Sequence, residues 1–157
     1  MTVFHCRGCR LPVTRPVTER PLPDPDTDEG WHRPQAAPAD ARGHTDAPIV
    51  RMPPGTFAVD PEPSGPPYAW DEASGLLLES GPRRTVVLNP ADGAGLREHP
   101  DPAMRRGHCC GMDGEWGPNL VCACGAVVAT LHSDCYQVQE LRLRPAGVER
   151  GDPDPAG

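Results

Sequence analysis

Residues 117–130 read GPNLVCACGAVVAT, and the way this stretch is read decides the fold. Cys122 and Cys124 stand one residue apart, with Gly125 immediately after them. A short apolar run, NLV at 119–121, leads in, and a β-branched run, AVVAT at 126–130, leads out. Two thiols on a tight turn, with a glycine free to take positive φ, between two short strands, is the layout of a zinc knuckle. A near echo lies at the other end of the chain. TVF at 2–4 leads into Cys6-Arg7-Gly8-Cys9, and LPVT at 11–14 leads out. Two knuckles complete one tetrahedral four-thiolate site, so the pattern predicts Zn2+ on Cys6, Cys9, Cys122 and Cys124.

Composition sets the scale of what can pack around such a site. The chain has 157 residues, of which 22 are Pro and 17 are Gly, while aromatics make up only 4%. About a quarter Pro plus Gly lies at the edge of low-complexity behaviour, and few large side chains remain to fill a core. All 15 basic residues are Arg, a sign of a GC-rich genome, to which some of the Pro and Gly is also due. The expected architecture is small and all-β: a zinc-ribbon-like core of short antiparallel strands with long Pro/Gly-rich loops. A core that small needs a staple, and cysteine chemistry supplies one.

The formal charge of −7, with Arg scattered among acids, argues against nucleic acid, whose binding rests on clustered cations neutralising phosphate. An anionic membrane surface is an equally poor partner. The opening MTVFHCRGC lacks an apolar signal region and no run approaches a membrane span, so the expected location is cytoplasmic. There, closely spaced cysteines serve metals or redox chemistry more often than structural disulfides, and the odd count of seven points the same way.

Along the chain, 1–14 is the first knuckle, and 15–48 is a Pro- and Asp-rich flexible linker that cannot bury enough apolar surface to order itself. Trp31 and His32 stand alone in that linker, as an exposed aromatic pair or a short docking motif. Residues 49–144 form the β-rich part, one domain with 1–14, and 145–157 a disordered tail. Strand candidates are 49–52, 56–59, 84–88 and 136–143, with Tyr68, Trp70 and the Leu76–Leu78 run as added apolar cover. In the last candidate Val138, Leu141 and Leu143 do not share one parity, which calls for a bulge or a strand buried on both faces.

A rival metal set is local: Cys109 or Cys110 with Cys122, Cys124 and Cys135. Loop closure favours it over the long-range set by only roughly 1.3 kcal/mol. That is small beside the ~10–16 kcal/mol apparent binding of structural zinc. Flanking sequence favours the long-range set, which alone pairs two knuckles of matching layout. Cys109, Cys110 and Cys135, with His108 and His132 nearby, then form a second metal site, supply a reactive thiol, replace a ligand, or act as small buried hydrophobes. Asp113, Glu115 and Asp134 around them would raise a thiol pKa, against the reactive reading. His5 is a knuckle neighbour, and His32, His44 and His99 are surface residues.

No P-loop, dinucleotide-binding glycine pattern, nucleophile elbow, H-E-x-x-H or deaminase signature occurs. No catalytic residue is assigned. VFHCRGCRLPVT, MPPGTFAVDPEP and CCGMDGEWGPNLVCACGAVVATLHSDC together resemble a group of zinc-ribbon-like proteins of high-GC Gram-positive bacteria. Those carry a knuckle at each end around a Pro/Gly-rich middle. The resemblance covers about two-thirds of the chain, sparing 15–48 and the tail. It implies a cytoplasmic metal-binding protein, brings no reaction or partner, and carries over only Cys6, Cys9, Cys122 and Cys124. The C-x-C of the second knuckle departs from the C-x-x-C of some members. Three functions follow as expectations: a structural zinc protein presenting a β surface to a protein partner, a thiol redox or metal-responsive sensor, and an enzyme of unrecognised type.

Overall fold

The computed structural model describes residues 1–24 and 49–153. Its strands are short. In chain order they are β1 (Val3–Cys6), β2 (Thr18–Glu19), β3 (Thr56–Asp60), β4 (Tyr68–Asp71), β5 (Leu76–Glu79) and β6 (Thr85–Leu88), then β7 (Leu96–Glu98), β8 (Leu120–Cys122), β9 (Val127–His132), β10 (Glu140–Leu143) and β11 (Val148–Gly151). The only helical pieces among the described residues are 3-10 turns at Pro90–Asp92 and Pro102–Arg105, each opened by proline behind an Asn89 or Asp101 cap. The fold is therefore all-β. Seven strands form one sheet in the order β2-β3-β6-β10-β9-β8-β7, antiparallel except for β2 with β3. β1 pairs with β11, and β4 with β5, as separate antiparallel ribbons.

Strand alternation explains the core. Phe57 on β3, Val86 and Leu88 on β6, and Leu141 and Leu143 on β10 all face one side. The β1–β11 ribbon contributes Phe4, Cys6 and Val148 to the same cluster. Phe4 meets Phe57 edge to face, with ring centroids 5.1 Å apart. The Arg150 guanidinium lies 5.1 Å from the Phe57 centroid. Full burial of a side chain like Phe57 is worth ~1.5–3 kcal/mol, so this one column of contacts is a sizeable share of a small domain's stability.

The other face of the same strands carries Ala58 and Val87, covered by Met52 and Leu22, and a buried polar group. Arg142 Nη1 donates to Asp60 Oδ2 at 2.8 Å and to Thr85 Oγ1 at 3.1 Å, and its Nε donates to Glu140 Oε1. Burial alone would lower the Arg142 pKa; Glu140 and Asp60 outweigh it and raise it. Thus β10 is buried on both faces, apolar on one and ionic on the other. That resolves the parity conflict: Val138 lies outside the strand, which starts at Glu140 rather than Tyr136.

Other boundaries also differ from the sequence reading. Val148–Gly151 is no disordered tail, because its main chain pairs with β1 and buries Val148. Residues 15–24 are not free linker: Val17 is fully buried, bridges Thr2, and is followed by β2. Residues 25–48, with Trp31, His32 and His44, lie outside the described residues. Of 49–52 only Val50 makes a β-bridge, an isolated parallel one to Gln139 outside any strand. The β4–β5 ribbon covers none of the core: Trp70 is 63% exposed and Leu77 65%.

Candidate metal centre

The two cysteine turns are variants of one construction. In the first, β1 ends at Cys6, the Cys6 N–H donates to Leu11 O at 2.9 Å, and the Arg10 N–H returns to Cys6 O at 2.8 Å. In the second, β8 ends at Cys122, the Cys122 N–H donates to Ala126 O at 2.9 Å, and the Gly125 N–H returns to Cys122 O at 2.8 Å. The residue after each second cysteine is left-handed, Arg10 at φ 65° and Gly125 at φ 87°. The glycine adopts this conformation freely. Arg10 has a Cβ to accommodate, and its side chain is tied down by an ion pair with Glu149 on β11. One knuckle is a residue longer than the other, which is why C-x-x-C and C-x-C serve the same purpose.

The turns face each other. Cys6 Sγ lies 3.7 Å from Cys124 Sγ, and Cys9 Sγ 3.5 Å from Cys122 Sγ. All four sulfurs fall within 4.8 Å of one another. A Zn–S bond of ~2.3 Å implies a tetrahedron edge of about 3.8 Å, so the sulfurs already stand near the corners of such a figure. They are far beyond the ~2.05 Å of a disulfide, and all seven cysteines are free. Cys6 and Cys122 are buried and belong to the hydrophobic cluster, whereas Cys124 is exposed. Burial pushes the Cys122 thiol up to about 12, with the Cys9 and Cys6 sulfurs adding to the rise against the opposing Cys124 N–H. Four soft donors in a tetrahedron suit zinc or iron, and a divalent ion would offset the cost of ionising those thiols. Cys6, Cys9, Cys122 and Cys124 can therefore hold a metal ion.

The remaining cysteines form a separate group. Cys109, Cys110 and Cys135 gather around Asp134, with the sulfurs and one carboxylate oxygen within 4.8 Å of one another. They join neither Cys122 nor Cys124, so the structure does not assemble the local rival set. All three are exposed, which removes the reading of them as buried hydrophobes. Asp134 itself is fully buried. Burial would raise its carboxyl, but N–H groups of Cys109, Cys110 and Cys135 outweigh that and hold it at about 2. The Cys110 thiol is raised, chiefly by its contact with Cys135. Cys135 is raised as well: its contact with Cys110 lowers it, but Cys109 and partial burial prevail. Neither is an activated nucleophile.

His108 forms a third group with Asp113 and Glu115, its Nδ1 2.8 Å from Asp113 Oδ2. Its ring meets Tyr136 edge to face at 5.9 Å. Together with Tyr68, Glu79 and His132 these residues line an open polar cleft, into which none of the cysteines projects. In the sequence Asp134 reads only as an acidic neighbour of the cysteines. Its role as acceptor for residues 25 positions away carries no local signal.

No protein-family model matches the chain, and no curated protein or solved structure is significantly similar to it. Among the described residues, no helix is long and apolar enough to cross a membrane.

Proposed function

We propose that this chain is a structural zinc-binding protein of zinc-ribbon-like build, in which one Zn2+ on Cys6, Cys9, Cys122 and Cys124 ties the two ends of the chain into a β platform for a protein partner. One observation carries the reading. Sulfurs from two knuckles 113 residues apart converge with edges of 3.5 and 3.7 Å, near the about 3.8 Å of a tetrahedral zinc–thiolate centre. Zinc in this position has no open coordination site, so its contribution is to stability and not to a reaction. A cytoplasmic location and kinship with the two-knuckle proteins of high-GC bacteria belong to the same proposal. The exposed β4–β5 ribbon, with Trp70, Leu76 and Leu77 outward, supports the partner-binding part.

The test is zinc content together with thermal unfolding. Wild type should retain tightly bound zinc through mild peroxide, and Cys124→Ser should lose that ion and unfold without cooperativity. A Cys124→Ser protein that keeps all its zinc and melts like wild type would overturn the assignment. The alternative reading is a thiol-based redox or metal-responsive sensor, favoured by the exposure of Cys109, Cys110, Cys124 and Cys135. Zinc released in step with thiol oxidation would select it.

A further inference from the structure

The three exposed cysteines around Asp134 are built too deliberately for surface residues. We infer that they form a second metal site, in which a thiophilic divalent cation of the zinc class binds the thiolates of Cys109, Cys110 and Cys135 and keeps a coordination position open to an outside ligand.

Preorganisation is the first argument. The Asp134 carboxylate accepts the N–H of Cys109 at 2.9 Å through Oδ2, and through Oδ1 those of Cys110 at 3.3 Å and Cys135 at 2.7 Å. A single buried side chain thus fixes the backbone of all three cysteines, from two loops distant in sequence. Those loops are also laced together: Ser133 N donates to Met112 O at 2.7 Å, Met112 N to Ser133 Oγ at 3.1 Å, and Gln137 Nε2 to Met112 O at 3.3 Å. Gathering thiols is therefore done by ordinary hydrogen bonds, before any ion arrives.

Steric fit is the second argument. A Cβ on Gly107 would fall 1.6 Å from Gly111 O and 2.7 Å from Asp134 Oδ2. A Cβ on Gly111 would fall 2.5 Å from Ser133 O. Both positions need glycine for the loop to close on the carboxylate, although neither φ is positive. The close approach, and not a turn geometry, accounts for both residues.

Chemistry chooses the ligand. Three sulfurs within 4.8 Å of each other leave a thiol over if two of them pair as a disulfide, whereas one soft cation takes all three. Binding replaces three S–H protons by one ion and releases those protons to solvent. Asp134 Oδ1 already accepts from the Cys110 and Cys135 N–H groups and the Cys110 thiol, and Oδ2 from the Cys109 N–H. The proposed role of the carboxylate is therefore positioning, and the fourth place goes to water or an exogenous donor. Exposure of all three cysteines then makes this ion exchangeable, in contrast to the knuckle set, where Cys6 and Cys122 are buried.

The experiment uses the full chain loaded with zinc and chased with a chromophoric chelator. Wild type should hold two equivalents and release them in two phases, one fast and one slow. Cys135→Ser should hold one equivalent, lack the fast phase, and unfold at the wild-type temperature. Asp134→Asn keeps every thiol but loses one carboxylate oxygen, and should weaken the fast ion at least tenfold while sparing the slow one. Two outcomes would sink the inference: a single slow equivalent in wild type, or loss of two hydrogens by intact mass at a bond joining Cys135 to Cys109 or Cys110 in freshly reduced protein. Failure of the knuckle site would show in Cys124→Ser and the slow phase instead, so the two are read separately.

Discussion

The two sulfur clusters of this molecule are assembled by opposite means. Cys6 and Cys122 are strand-end residues that count among the hydrophobic core, and their cluster joins positions 113 residues apart. Cys109, Cys110 and Cys135 sit outside any strand, exposed at the surface, and are arranged by hydrogen bonds to one carboxylate. Emptying the first cluster leaves the Cys6 and Cys122 thiols in the apolar core, with only the two turns to hold the four sulfurs together. Emptying the second leaves its scaffold intact, because peptide N–H groups hold it. If both clusters bind metal as proposed, the same amino acid joins metal to fold in one place and separates them in the other.

The sharpest way to break that contrast is Cys6→Ser. Forfeiting much of the ~10–16 kcal/mol of structural zinc is comparable to the whole stability of a typical domain, about 5–15 kcal/mol. The variant should lose cooperative unfolding by circular dichroism. A Cys6→Ser protein with a normal melt would mean that the sheet stands without the ion.

Next in size is Arg142→Ala, which tests whether the sheet also depends on its ionic face. Truncation strands Asp60 and Glu140, and breaking such a buried pair costs about 3–5 kcal/mol. In a domain near 150 residues that is a fall in Tm of roughly 6–20 °C, measurable by calorimetry, at ~2–4 °C per kcal/mol. A change under a few degrees would show that the Arg142 group is solvated in solution.

Asp134→Ala should be milder and confined to the exposed cluster. The N–H groups of Cys109, Cys110 and Cys135 lose their acceptor, at a cost of about 1–3 kcal/mol per group left unsatisfied, less where water replaces it. Hydrogen exchange at these amides should accelerate, while amides of β6 and β10 keep their protection. Exchange that rises across the whole sheet would erase the distinction between the clusters.

Arg10→Gly is the smallest change and refines the first cluster. Relief of a left-handed residue is worth ~1–2 kcal/mol, while the extra freedom of glycine in the unfolded chain takes back about 0.5–1. Loss of an exposed ion pair with Glu149 takes back about 0–1 more. The net shift should stay between about −1 and +1.5 kcal/mol with zinc affinity unchanged. A large loss would assign the Arg10–Glu149 contact a structural role in closing the knuckle.

What was legible in the sequence was local. The C-x-x-C and C-x-C-G turns, their β-branched flanks, and the runs that became β3 and β6 announce themselves through residue type and spacing. The strand at Val148–Gly151 could not, since VERG offers one apolar side chain and gains its place through main-chain pairing with β1. Val17 was hidden for the same reason: a lone apolar residue among prolines has no period, and its burial depends on a bridge to Thr2. The Leu76–Leu78 run misled in the other direction. Apolar residues there signal an outward-facing ribbon, because among the described residues no second layer is built over it.

The 113-residue separation of Cys9 from Cys122 also has a meaning in time. At about 5–20 residues per second of synthesis, the first pair of thiols waits roughly 6–23 s before the second leaves the peptidyl-transferase centre. Throughout that interval Cys6 and Cys9 are an open chelate on an unfinished chain, able to meet oxidants or other metals. Thiol trapping on stalled nascent chains should label both residues until position 124 clears the ribosome, and protect them afterwards. On the proposed reading, the four-thiolate set is completed only once position 124 has emerged.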